Sequence, residues 1–195
     1  MTSSTTGRPV LVFIGPSASG KSSVVRALHD AGLITVHPTW TTRPRRSDET
    51  EGSPEHRFVT PEEFDELCAQ RFFLDTVALF GLPYRYGLPP VDVHDSGPID
   101  AVMLRAPLVA RFAHVVSHHL VYQIEDGADR TRSRLIARGC PPAELAARID
   151  DNHKEIAAGR QLADRVFVNG GSISDLTDGI ASALGADVLQ TRGAA

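Results

Sequence analysis

Residues 15–23 read Gly-Pro-Ser-Ala-Ser-Gly-Lys-Ser-Ser, types and an order that can hold a chain of phosphates. Gly15, Gly20, Lys21 and Ser22 fit the pattern Gly-x-x-x-x-Gly-Lys-Ser/Thr, with Ser17, Ala18 and Ser19 inside the loop and Ser23 just after it. Glycines let the backbone turn tightly, so that its N–H groups converge on phosphate oxygens. Lys21 sets a positive charge against the outer phosphates, and the Ser22 hydroxyl is a ligand for Mg²⁺. A helix beginning at this point adds its dipole to the anion site. The bland alternative is a glycine-rich turn without a ligand. Against it stands the context, a continuous apolar run before the loop and a helical pattern after it. The expected nucleotide is ATP, because the chain has no Asn-Lys-x-Asp stretch that would read guanine on the donor.

The elements that must position this loop alternate in type. Val10–Ile14 is apolar throughout, as suits a strand buried on both faces of a parallel sheet. A helix over about Lys21–Ala31 is stopped by Gly32. Leu33–Trp40 reads as a second strand broken at Pro38, and 72–79, 100–104 and 120–124 as three more. Thr60, Pro61 and Glu63 mark a helix start with a capping box. Residues 107–116 suit a short helix, and 129–161 an arginine-rich helical stretch broken at Gly-Cys-Pro-Pro. Residues 165–169 suit a last strand, and a final helix is capped by Ser172 or Ser174. Residues 41–57 are polar and proline-bearing, and read as a surface segment. This alternation predicts an α/β fold with a mostly parallel central sheet.

The chain has 195 residues, enough for one domain, and a formal net charge of −4, so no global basic field points to nucleic acid. Two cysteines, Cys68 and Cys140, are too few for a disulfide framework and too far apart for a metal knuckle. A reducing, cytoplasmic setting is expected. No run approaches the length of a membrane span, and the polar N-terminus lacks the apolar core of a secretory signal. His37, His118 and His119 show no metal-ligand spacing, so the expected metal is the magnesium at Ser22 alone. Residues 1–9 and 188–195 are expected to be flexible tails around one domain over 10–187.

A phosphate loop does not name an acceptor. The segment Thr-Trp-Thr-Thr-Arg-Pro-Arg-Arg-Ser-Asp-Glu-Thr-Glu-Gly at 39–52 resembles the monophosphate-binding segment of guanylate kinases, Ser-x-Thr-Thr-Arg-x-Pro-Arg-x-Gly-Glu-x-x-Gly. The agreement continues through 58–67, Tyr84–Gly87, 134–139 and 166–169, so the resemblance covers about residues 9 to 184 in order. It implies a three-layer nucleoside-monophosphate-kinase-like fold with an acceptor-binding segment over about 37–90 and a helical lid over about 129–160. It implies that Thr39, Arg43, Arg46 and Tyr86 hold the acceptor's phosphate, that Glu49 belongs to the same loop, and that Asp75 meets the guanine edge. Lid arginines would be Arg134, Arg138 and Arg148, stabilising the charge of a transferring phosphoryl group. Asn169 would lie near the ATP base. Each arginine has a bland alternative: Arg46 in a solvated loop pair, and Arg134 and Arg138, at i and i+4, on an exposed helix face.

Departures from the family pattern gather on the acceptor side. His56 replaces a tyrosine that binds the acceptor phosphate. Leu88 replaces a serine that donates to guanine, and leucine cannot donate. Asp75 is one methylene shorter than the family glutamate. Met103 and Arg105 stand where the family has an Asp-x-Asp pair, while Asp100 lies five residues early. The chain reads as an ATP–Mg²⁺ phosphotransferase acting on a small phosphorylated acceptor, a nucleoside monophosphate such as GMP. Ribose 1,5-bisphosphate phosphokinases, which share some of these departures, and non-catalytic guanylate-kinase-like binding modules are the alternatives. No nucleic-acid or membrane partner is expected, and the state is monomer or homodimer.

Overall fold

The computed structural model describes residues 8–46, 49, 52–79 and 83–193; the first seven residues of the expected N-terminal tail lie outside them. Five strands form a wholly parallel sheet: β1 (Val10–Ile14), β2 (Ile34–His37), β7 (Ile99–Met103), β8 (His119–Glu125) and β9 (Arg165–Val168), in the order β2-β7-β1-β8-β9. β1 is central, and its uninterrupted apolar run follows from burial on both faces. Leu11 and Phe13 point into one core with Val24, Val25, Leu28, Leu176 and Ile180. Val10, Val12 and Ile14 point into the other with Leu108, Val109 and Phe112. Helices α1 (Lys21–Asp30) and α6 (Ile173–Gly193) cover the first face; α3 (Ala106–Val115) and α5 (Pro142–Arg160) cover the second. The result is the expected three-layer α/β arrangement.

Pro38 does more than break a strand. The chain leaves the parallel sheet at β2 and enters a second, mixed sheet at β3 (Thr39–Thr41). That sheet runs β4-β3-β6-β5, with β4 (His56–Phe58), β5 (Asp75–Leu79) and β6 (Tyr84–Leu88). Helix α2 (Pro61–Ala69) follows β4 with the expected capping box on Thr60 and Glu63. A proline at the joint suits a change of sheet, because it cannot donate to a continuing ladder.

Three expectations need correction. The segment 41–57 is not a plain surface stretch: it contains β4, and Thr41, Arg43, Ser53 and Glu55 are buried. Its polar side chains pair with one another, so polarity there marks a network and not solvation. Two strands, β4 and β6, carry no hydrophobic alternation and escaped the periodicity reading. At the C-terminus α6 continues through Gly193, beyond the expected domain end at 187. Val188 packs on the core, and Asp187 is buried against Tyr122 and Arg165. Ser172 caps this helix, its Oγ accepting from Asp175 N at 3.0 Å. The break at Gly-Cys-Pro-Pro falls as read, between α4 (Ala128–Ala137) and α5.

Candidate active site

The phosphate loop leaves β1 at its C-terminal end and returns as the first turn of α1. Gly15 has φ 132°, and a Cβ there would sit 2.2 Å from Ile124 O; Gly20 has φ 102°, and its Cβ would meet Asn169 Nδ2 at 2.6 Å. Neither place admits a side chain, so the glycines are required by the turn and by close approach. Ala18 also adopts a left-handed backbone, φ 64°, at a strain of about 1–2 kcal/mol. The loop is held from behind. Asn152 of α5 accepts from Ser17 N (2.7 Å) and donates to Ser17 O (3.1 Å), as a neighbouring strand would. Asn169 donates to Ser19 O at 2.9 Å, and Arg134 to Ala18 O at 2.9 Å. Strain is thereby fixed by three side chains from three separate segments.

A cleft opens in front of this loop. Its walls are Ser17–Ser23 on one side, Thr39, Arg43, Arg46, His56 and Tyr86 on the other, with Met103, Leu104, Arg105, Leu108 and Arg138 between. Donor and acceptor residues named from the sequence thus face one space. Burial, then the charge of Arg105, pulls the Lys21 ammonium down to about 7, with Glu155 acting in the opposite direction. Its Nζ donates to Gly15 O and Pro16 O at 2.6 and 2.7 Å. Such a cation has strong reason to take an anionic partner.

The wall that carries the expected acceptor residues is built from side chains that depend on one another. Arg43 grips Glu49 with two bonds, Nη1 to Oε2 at 2.9 Å and Nη2 to Oε1 at 2.7 Å, both side chains 4% exposed. Glu49 Oε2 also accepts from Arg46 N at 2.8 Å. Burial pushes the Glu49 carboxyl up, but the hydrogen bonds from Arg43 and from Arg46 N–H outweigh it and hold it at about 2. Glu49 is therefore the anchor that aims both guanidinium groups, a positioning part rather than a wall of the cleft. Burial and then Arg43 draw Arg46 down to about 10. His56 Nδ1 lies 2.9 Å from Thr39 Oγ1, and its ring stands edge-on to Tyr86 at 5.9 Å. Burial, then Arg43, Arg46 and Lys21, keep this imidazole at about 3, so it is neutral at physiological pH. It presents a polar, uncharged ring beside Arg43, Arg46 and Lys21.

Other expected residues fall in different places. Arg138 lines the cleft, whereas Arg134 binds the loop backbone and Asp126. Arg148 is buried, paired with Glu144 at 3.0 Å and set 5.9 Å from the Tyr84 ring, in an adjoining cavity that shares Arg43, Arg46 and Arg138. Asp75 starts β5, and its carboxylate accepts from Thr76 N at 2.8 Å; it is not among the cleft's walls. Leu88, opposite it in register, is fully buried among Val12, Val102 and Leu108. Asn169 is tied to the phosphate loop as described. Ser22 lines the cleft, and the one hydrogen-bond contact of its hydroxyl among the described residues is the weak one to Met103 Sδ at 4.0 Å.

Sequence reasoning missed Asp151, Asn152 and Glu155, and with them the charge balance of Arg105. Arg105 takes its place in the cleft by pairing with Asp151 and, at 3.2 Å, with Glu155 of α5. Glu155 also accepts from Ala106 N at 2.9 Å. The acids absent from the end of β7 are thus matched by acids on α5. Arg148, Asn152, Glu155 and Gly159 form the buried stripe of that helix, at i, i+4, i+7 and i+11. That spacing is present in the sequence, but the stripe is largely polar and so carries no hydrophobic periodicity.

Comparison with proteins of known name gives a consistent answer. The guanylate kinase of Nocardia farcinica is 32% identical over 166 residues, spanning 82% of this chain and 85% of that protein. The chain belongs to the guanylate kinase family. The guanylate kinase of Polaromonas is 30% identical over 169 residues, 82% of this chain and 79% of that protein. In structure, the guanylate kinase from Anaplasma phagocytophilum superimposes with a TM-score of 0.70 at 25% identity, covering 92% of this chain and 86% of that one. No protein-family model matches the chain. With its phosphate loop intact, this family member is an ATP-dependent phosphotransferase.

Proposed function

We propose that this guanylate kinase family member transfers the γ-phosphoryl group of ATP to the phosphate of GMP, giving ADP and GDP. The observation that carries the reading is that one cleft joins the phosphate loop to Thr39, Arg43, Arg46 and Tyr86. A phosphate oxygen of the acceptor attacks the γ-phosphorus, and the bond to the β–γ bridging oxygen breaks, leaving with ADP. Little covalent work falls to the protein, so positioning and charge stabilisation dominate. The loop N–H groups and Lys21 hold the donor. Arg43 and Arg46, pre-aimed by Glu49, grip the acceptor phosphate as forks suited to phosphate oxygens. Arg138 meets the charge that spreads over the transferring group.

Magnesium fits as ATP's companion: Ser22 offers one hydroxyl, and phosphates and water supply most of its oxygen ligands. When bound it neutralises phosphate charge. The reading carries with it a cytoplasmic setting and small-molecule substrates. Its test is ADP release from Mg–ATP with GMP, dGMP, AMP, CMP, UMP and ribose 1,5-bisphosphate in turn. Turnover greatest with GMP is the expected result. Turnover with ribose 1,5-bisphosphate alone, or ATP binding with no turnover on any acceptor, would overturn it.

A further inference from the structure

Behind the β2–β3 joint, away from the cleft's walls, three donor atoms converge. His37 Nε2 and His94 Nδ1 both lie on Asp100 Oδ1, at 2.7 and 2.8 Å. The three ligand atoms all fall within 4.8 Å of one another. The second carboxylate oxygen is held separately, accepting from His94 N at 2.6 Å, so the carboxylate is fixed in orientation. The Asp100 side chain is 2% exposed, and among the described residues no lysine or arginine lies within ion-pair distance of it. A buried carboxylate needs compensating positive charge, and here only imidazoles are at hand.

We propose that His37, His94 and Asp100 form a binding site for a divalent transition metal of the zinc class. Two imidazole nitrogens and one carboxylate oxygen are the donor set of a three-ligand zinc site that leaves a fourth position to water. At metal–ligand distances of about 2.0–2.2 Å, tetrahedral donors stand about 3.3 Å apart. Each imidazole nitrogen therefore needs to draw back from Asp100 Oδ1 by about half an ångström. The hydrogen bond to Asp100 Oδ2 is the kind of outer contact that orients a ligating carboxylate. His94, 57% exposed, gives the ion its way in. His37 ends β2, Asp100 lies on β7, and His94 belongs to the segment after β6. A bound ion would staple that segment to the sheet edge, two residues before Thr39. Spacing in sequence gave no sign of this, because the β2–β7 pairing creates the juxtaposition.

The test uses the full chain carrying Cys68→Ser and Cys140→Ser, freed of metal with a chelator, so that thiols cannot answer. Zn²⁺ is titrated in competition with a chromophoric chelator, and Co²⁺ by its tetrahedral absorption. One ion per chain is expected, bound at about 1 µM or tighter, with a rise in Tm of about 5 °C under saturating zinc. His94→Ala keeps the backbone N–H on Asp100, and should weaken binding about 100-fold or more and abolish the Tm rise. Absence of binding up to about 100 µM zinc, or unchanged binding in both His94→Ala and His37→Ala, would overturn the proposal.

Discussion

The two walls of the cleft are made differently. The donor wall is backbone: a turn forced by Gly15 and Gly20, its peptide groups tied down by Asn152, Asn169 and Arg134. The acceptor wall is side chains: Arg43, Glu49 and Arg46 in one buried network, Thr39 and His56 in another contact. A backbone site demands few residue identities, but demands them strictly. A side-chain site can exchange partners so long as charges stay matched. Of the changes from the family pattern, His56 lies on the acceptor wall and Met103 and Arg105 at the end of β7, where Arg105 is balanced by Asp151 and Glu155, while Asp75 and Leu88 stand outside the cleft's walls.

Three measurements would break or sharpen this contrast. The largest effect belongs to the donor wall. Lys21→Met should lower kcat by about 10³-fold or more, while circular dichroism and Tm stay near wild type. The fold does not rest on this lysine, whose burial already opposes its charge. Turnover near the wild-type rate would remove Lys21 from the chemistry.

On the acceptor wall, function and stability should fall together. Arg43→Ala should raise the acceptor KM about 100-fold, with ATP affinity changed less than about twofold. It should also reduce stability by about 3 kcal/mol, because Glu49 is left buried without its partner. The double variant Arg43→Met/Glu49→Met should restore much of the stability in denaturant unfolding, but not the KM. Loss of ATP affinity in either variant would mean that the walls are not separable.

The smallest effect is a pH dependence. Glu49 has its folded pKa at about 2 against an ordinary 4.5, and His56 at about 3 against 6.5. In both cases the unfolded chain binds more protons across the gap, so this stability is complete above pH 6.5 and is lost as pH falls toward about 3 for His56 and about 2 for Glu49. His56→Gln should flatten the upper part of that decline, between pH 6.5 and 4.5, in urea unfolding curves taken at each pH. An unchanged curve would mean that His56 is not held neutral by its burial and its cationic neighbours.

The sequence by itself determined what depends on neighbours along the chain. The phosphate loop was legible because its chemistry lies within residues 15–23, and the capping box of α2 because Thr60 and Glu63 are three apart. The apolar run of β1 declared a buried strand, and the arginines at 43 and 46 became visible through resemblance to a family segment. What only the tertiary structure decided depends on partners far apart in sequence. Pro38 reads as an interruption in either case, but the change from one sheet to another follows from which strands pair with β2 and β3. β4 and β6 are strands because β3 lies between them. Arg105 reads as a misplaced charge until α5 sets Asp151 and Glu155 against it, 46 and 50 residues on. His37 likewise reaches Asp100, and with it the nearby His94, through the β2–β7 pairing. Local chemistry is written in spacing, whereas charge balance and donor clusters arise only when the fold brings distant residues within a few ångströms.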